Sequence, residues 1–207
     1  MTYLYLYTVF LSHFYDNKFR NPFNHIYRVF FVDFFDEVSS AKTYLEQLKG
    51  RATIGIYGSF RSGNIVILIN FRDFLRSEGY TARMSFDLEQ PADGAPEVSP
   101  DGENSIASTR LRESSQIHIF FFFIEGPEEH NVNLSAAMEL QALIEHHVRD
   151  VLLLFEKGLG REDITSYFAG TVERQEGRWE WDEFARDEDS YLIRGRQFCF
   201  DRIRHYA

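Results

Sequence analysis

The stretch QIHIFFFFIEG, residues 116–126, constrains the fold more than any other part of the chain. A strand with one wet face alternates apolar and polar residues, but from Ile117 to Ile124 only His118 is polar. Such a run is covered on both faces, which is the habit of strands in parallel sheets wrapped by helices. This strand is therefore expected at the centre of a sheet.

The segments around it supply the wrapping. In RATIGIYGSF, Thr53, Ile54, Ile56 and Tyr57 form a short β-branched and aromatic run that ends at Gly58, as a buried strand would. In IVILINFRDFLRSEG, Ile65, Leu68, Ile69 and Leu75 recur at helical spacing, Phe71 and Phe74 widen the stripe, and Gly79 supplies the stop. YTARMSFDL, residues 80–88, reads as the next strand. Strand, helix, strand is the signature of a parallel βαβ unit with a right-handed crossover. Residues 89–105 hold three of the five prolines and read as a solvated loop. IASTRLRESS is a returning helix, SAAMELQALIEHH the helix after the central strand, and RDVLLLFEKG a fourth strand. SSAKTYLEQLKG reads as a short helix from Ser39 and Ser40 to Gly50. The last fifty residues read as a short helix, a segment with Trp179 and Trp181, and a final helix with Tyr191, Leu192, Phe198, Cys199 and Ile203 inward. The sum is an α/β, doubly wound (flavodoxin-like) sheet of four or five mainly parallel strands with flanking helices.

Charge and composition narrow the partners. Lys and Arg number 22 against 32 Asp and Glu, a formal charge of -10, which opposes general nucleic-acid binding because that needs positive surface. The single Cys199 excludes an intrachain disulfide and a cysteine zinc site, so the chain reads as cytoplasmic. The seven histidines include no H-E-x-x-H pair, and His146 and His147 diverge by about 100° on a helix, so no metal is expected. No cofactor motif is present.

Residues 1–40 differ from the rest. They hold 13 of the 34 aromatic residues and carry almost no net charge. YLYLYTVFL lacks a preceding Lys or Arg and a small-residue cleavage site, and it is too short to span a bilayer. Two accounts fit the change: an aromatic arm that packs on the domain or a partner, or an upstream stretch outside the mature chain, whose start then lies near Val38. The second is the simpler. The expected division is an N-terminal extension, 1–40, and a single α/β domain, 41–207.

Open parallel sheets bind ligands outside the carboxyl ends of their strands, near the topological switch point. That rule selects the loop Gly58, Ser59, Phe60, Arg61, Ser62, Gly63 and Asn64, then Asp87 with Glu89, Glu125 with Gly126, and Glu156 with Lys157. Glu139 joins them if its helix starts near Asn133 or Ser135, about one turn away. The loop has the glycines, exposed amides and Arg61 that a phosphate cradle uses. An ordinary turn with Arg61 in water fits as well, because the loop is neither G-x-G-x-x-G nor a P-loop: Asn64 and Ile65 stand where Lys and Ser or Thr are required.

IGIYGSF, the later apolar strand preceded by a short helix, the turn at its end and NLSAAMEL with its embedded glutamate together resemble the nucleoside 2-deoxyribosyltransferases. The related Toll/interleukin-receptor-like NAD-cleaving domains are similar too, and the likeness runs from residue 52 to about 157. The resemblance implies that Glu139 is a nucleophile and that Glu125-Gly126 ends the third strand. Here Glu replaces that family's Asp, the turn is longer, and PEEHNVN lacks its Gly-Thr, departures that bear on substrate more than on fold.

The chemistry is coherent. An ionised carboxylate beneath a sugar stabilises or traps the oxocarbenium-like state of N-glycosidic cleavage, and a helix N-terminus favours the ionised form. Glu125 or Asp87 would hold sugar hydroxyls or handle the leaving base's proton, Tyr57 or Phe60 would stack on the base, and Ser135 would orient Glu139 from one turn away. The ordinary alternative is a helix-surface carboxylate paired with a neighbouring base. Three functions follow: an N-glycosidase or transferase acting on a nucleoside, nucleotide or NAD; a non-catalytic nucleotide-binding sensor; and a Toll/interleukin-receptor-like interaction domain. The implied partners are a small nucleotide-like ligand and, since neighbouring chains often complete the site in both enzyme families, further copies of the chain. Neither a membrane nor general nucleic acid is among them.

Overall fold

The apolar runs become strands and the apolar stripes become helices, layered on both sides of one sheet. The structure, a computed structural model, describes residues 23–88, 100–124, 134–146, 148, 150–159 and 179–206. The chain divides into two units, Met1–Tyr44 and Leu45–Ala207, and the sheet belongs to the second. Its strands are β1 (Thr53–Tyr57), β2 (Thr81–Arg83), β3 (Ile117–Phe122), β4 (Val151–Glu156) and β5 (Glu180–Phe184). All pair in parallel, in the order β2-β1-β3-β4-β5. The helices are α1 (Phe23–Arg51), α2 (Ser62–Ser77), α3 (Pro100–Ser114), α4 (Leu134–Glu145) and α5 (Ser190–Ile203). This is the doubly wound, flavodoxin-like arrangement expected from the sequence.

The central strand is β3, and every residue from Ile117 to Phe123 is buried. Its side chains part between two cores. Ile117, Ile119, Phe121 and Phe123 face the side covered by Leu68, Phe71 and Leu75 of α2 and Tyr191, Phe198, Cys199 and Ile203 of α5. Phe120 and Phe122 face the side covered by Leu111 of α3 and Ala136, Leu140 and Leu143 of α4. Full burial of a side chain of this size contributes about 1.5–3 kcal/mol, so the phenylalanine run is a large share of what holds the sheet. Gly79, at φ +90°, makes the turn after α2, where its amide donates to the Arg76 carbonyl at 3.0 Å.

Four expectations change. The first helix starts at Phe23, not at the serines, because Ser39 and Ser40 lie inside it and Thr43 Oγ1 donates back to the Ser39 carbonyl at 2.9 Å. β2 is only three residues long, since Ser85–Leu88 form a 3₁₀ turn closed by the Met84 amide donating to Asp87. The stretch expected as loop up to residue 105 gives way to helix at Pro100, a residue whose fixed φ and missing N–H suit a first helical turn. Finally, Glu180–Phe184 is a fifth strand at the sheet edge. Trp179 covers core, its Nε1 donating to the Val148 carbonyl at 3.0 Å, whereas Trp181 is half-exposed and edge-on to Phe155.

Candidate functional site

The order β2-β1-β3-β4-β5 sets the switch point between β1 and β3. At the carboxyl ends of these strands lies the loop 58–64. Gly58 is buried against Leu68 and the Phe121 carbonyl, where an added Cβ would fall 3.0 and 3.3 Å from them. Ser59 and Asn64 are buried, and Phe60 is exposed and edge-on to Phe86. Arg61 occupies the N-cap position of α2, its carbonyl accepting from the amides of Asn64 and Ile65 at 2.9 Å. Ser62 begins the helix. Arg186, just after β5, brings Nη1 to 3.5 Å from where a Cβ on Gly63 would sit. Its other nitrogens hold Glu156 and the Ile124 carbonyl, and the guanidinium lies over the Phe123 ring. Glu156 also accepts from the Ile124 amide at 2.7 Å. These bonds tie the ends of β3, β4 and β5 together beside the loop.

A second group lies on the face covered by α3 and α4. Tyr57 ends β1, and its ring stacks on Phe120 at 4.4 Å and folds back over Gly55, where a Cβ would fall 2.7 Å from the Tyr57 hydroxyl and 2.8 Å from Ser115 Oγ. Only a glycine admits that approach. The Tyr57 hydroxyl hydrogen-bonds His118 Nδ1 at 3.0 Å, the proton's position following the imidazole tautomer. From α3, Arg112 reaches Glu139 on α4, Nη1 to Oε2 at 3.4 Å, with side chains only 17% and 20% exposed. Burial pushes the Tyr57 hydroxyl well above its ordinary pKa, and the charge of Glu139 adds to the effect. Burial and the charge of Arg112 lower His118 to about 4, against the pull of a Ser115 backbone hydrogen bond. At neutral pH the phenol and the imidazole are thus both neutral, and the Arg112–Glu139 contact lies near them.

The predicted residues therefore divide. Gly58–Asn64 gather at the carboxyl ends of the strands, while Tyr57 and Glu139 meet on the α3/α4 face. Glu139 lies five residues into α4, about 7.5 Å along the axis, where a helix N-terminus exerts little field, so its charge partner is Arg112 instead. Asp87 faces α2, accepting from Arg72 at 2.9 Å, Arg76 at 3.0 Å and the Met84 amide at 2.8 Å. Glu125, Gly126 and Asn133 lie outside the described residues, as does the side chain of Ser135 in the first turn of α4. Arg112, Ser115, His118 and Arg186 were not singled out by sequence. One signal was there: His118 is the lone polar residue in an otherwise apolar buried run.

No protein-family model matches the chain, and no curated protein matches it. Among the described residues, no helix is long and apolar enough to cross a membrane.

Proposed function

We propose that the chain cleaves or transfers the N-glycosidic bond of a small nucleotide-like ligand, with Glu139 as nucleophile. The observation that carries this is the half-buried Glu139 held by Arg112 near the buried Tyr57 hydroxyl, on the face of the sheet covered by α3 and α4. A carboxylate in that setting is shielded from bulk water yet reachable. In the reaction it attacks the anomeric carbon as the C–N bond breaks, the base leaves with the bonding pair and takes a proton from solvent or an acid, and a glycosyl ester forms on Glu139. Water or a second base then displaces the ester and restores the carboxylate.

A second reading, a nucleotide-binding sensor without chemistry, is favoured by where the other carboxylates go. Asp87 is committed to Arg72 and Arg76, and Glu156 to Arg186, so neither is described beside Glu139. One experiment separates the two: mass-spectrometric detection of free base from a pool of nucleosides, nucleotides and NAD, with melting curves taken on the same mixtures. Turnover lost in Glu139→Gln supports the enzyme. Stabilisation by a pool member with no base released supports the sensor and overturns the enzyme.

A further inference from the structure

A guanidinium carries five N–H donors, and a buried one is costly unless acceptors and an opposite charge surround it. Arg72 meets that condition, reaching Asp87 at 2.9 Å, and Arg202, whose Nε also has no hydrogen-bond partner, is balanced by Glu180 on Nη2 and by Asp150 at 3.6 Å from Nε. Arg112 is different. Its Nη1 contact with Glu139 is 3.4 Å long, its Nη2 contact with Thr109 Oγ1 is 3.5 Å, and its Nε is buried with no hydrogen-bond partner. Good charge-assisted bonds run about 2.7–2.9 Å, so neither contact is a full one. A hydroxyl or carbonyl would satisfy Nε but leave the charge loosely balanced. An oxyanion would do both, because a planar fork takes phosphate or carboxylate edge-on.

We propose that Arg112 is a ligand-binding cation, and that the group it takes is an oxyanion entering between α3 and α4 beside Glu139. The proposal rests on the reading above in one respect: if the ligand is nucleotide-like, the oxyanion is its phosphate, and the site selects nucleotides over nucleosides. Glu139 then has two effects of opposite sign. It is required for chemistry, but its charge competes with the oxyanion for Arg112.

The test is calorimetric titration of the full chain with inorganic phosphate, acetate, and matched nucleosides and their 5′-monophosphates, using wild type, Arg112→Met, Arg112→Lys and Glu139→Gln. The expected result is that monophosphates bind roughly tenfold or more tightly than nucleosides and that Arg112→Met erases the difference, the scale of one close charge partner. Arg112→Lys should keep part of it, and Glu139→Gln should bind inorganic phosphate about tenfold more tightly than wild type, because a like-charged neighbour is gone. Preference for acetate over phosphate would support the oxyanion site and assign it to a carboxylate. Nucleosides and monophosphates binding alike in a wild type that also takes neither phosphate nor acetate, or an anion preference that survives in Arg112→Met, overturns the proposal. Should Arg112→Met fail to fold, Arg112→Lys and Glu139→Gln carry the test. Base release that needs Glu139 but ignores the phosphate overturns this inference and leaves the glycosidic reading standing. Phosphate held through Arg112 with no nucleotide turnover supports this inference and overturns that reading.

Discussion

The two faces of the sheet are made by the same strands, yet one is nearly dry and the other holds a polar cluster. On the α2/α5 side, Ile54, Ile56, Ile119, Phe121 and Leu154 meet Phe71, Phe198 and the buried thiol of Cys199, and the ion pairs Arg72–Asp87 and Arg194–Asp182 lie toward the edge strands β2 and β5. On the α3/α4 side, the same depth of sheet contains Tyr57, His118 and, between the helices, Arg112 with Glu139. An apolar core has no need of these groups, and placing them there costs stability that tighter hydrocarbon packing would return. The difference teaches that α2 and α5 cover their face mainly with hydrocarbon, while α3 and α4 cover theirs with hydrocarbon and a buried polar group, which is where the proposed site lies.

The comparison can be broken at several points. The largest effect is expected on the dry face, where Phe71 is fully buried, edge-on to Phe121 at 5.1 Å and pressed against Gly195. Phe71→Ala should cost about 3–5 kcal/mol in denaturant unfolding. A loss below 1 kcal/mol would mean that this face is not the main support.

The polar face should announce itself through pH. His118 has a folded-state pKa of about 4, below the ordinary 6.5, so between those values the unfolded chain binds more protons. The stability due to a neutral His118 is therefore complete above pH 6.5 and is lost as pH falls toward 4, by up to about 3 kcal/mol. His118→Gln should flatten that part of the curve, and an unchanged slope between pH 6.5 and 4 would contradict the burial of a neutral imidazole.

Next in size is Gly55→Ala, whose methyl group would meet the Tyr57 hydroxyl and Ser115 Oγ. A loss of about 1–3 kcal/mol is expected, as for other overpacked sites, and Tyr57→Phe in the same chain should recover part of it. Strict additivity in that double-mutant cycle would show that the tyrosine does not fold back over the glycine. The smallest stability effect should come from Glu139→Gln. Its ion pair is long and partly exposed, so thermal melting should change by about 1 kcal/mol or less, while activity is lost.

What could be read from the sequence follows from which interactions are local. β3, β1, β4 and the stripe of α2 announce themselves because continuous apolar runs and helical spacing are properties of neighbours in the chain. β5 does not, because EWDEF owes its acids to distant arginines: Glu180 and Asp182 pair with Arg194, and Glu180 also pairs with Arg202 of α5. β2 read as too long because the Asp87 turn depends on Arg72 and Arg76 from the preceding helix. The site was half legible for the same reason. Glu139 stands out among small residues in NLSAAMEL, but Arg112 lies in STRLRES, which looks like a solvated helix face, and only the packing of α3 against α4 makes the two meet.

The most direct test of the central claim is free-base release from nucleosides, nucleotides and NAD by the full chain, measured by mass spectrometry beside Glu139→Gln at matched folded fraction. The account predicts release by the wild type and none by the variant, with the two melting within a few degrees of each other. Equal release by both, or none by either, would contradict it.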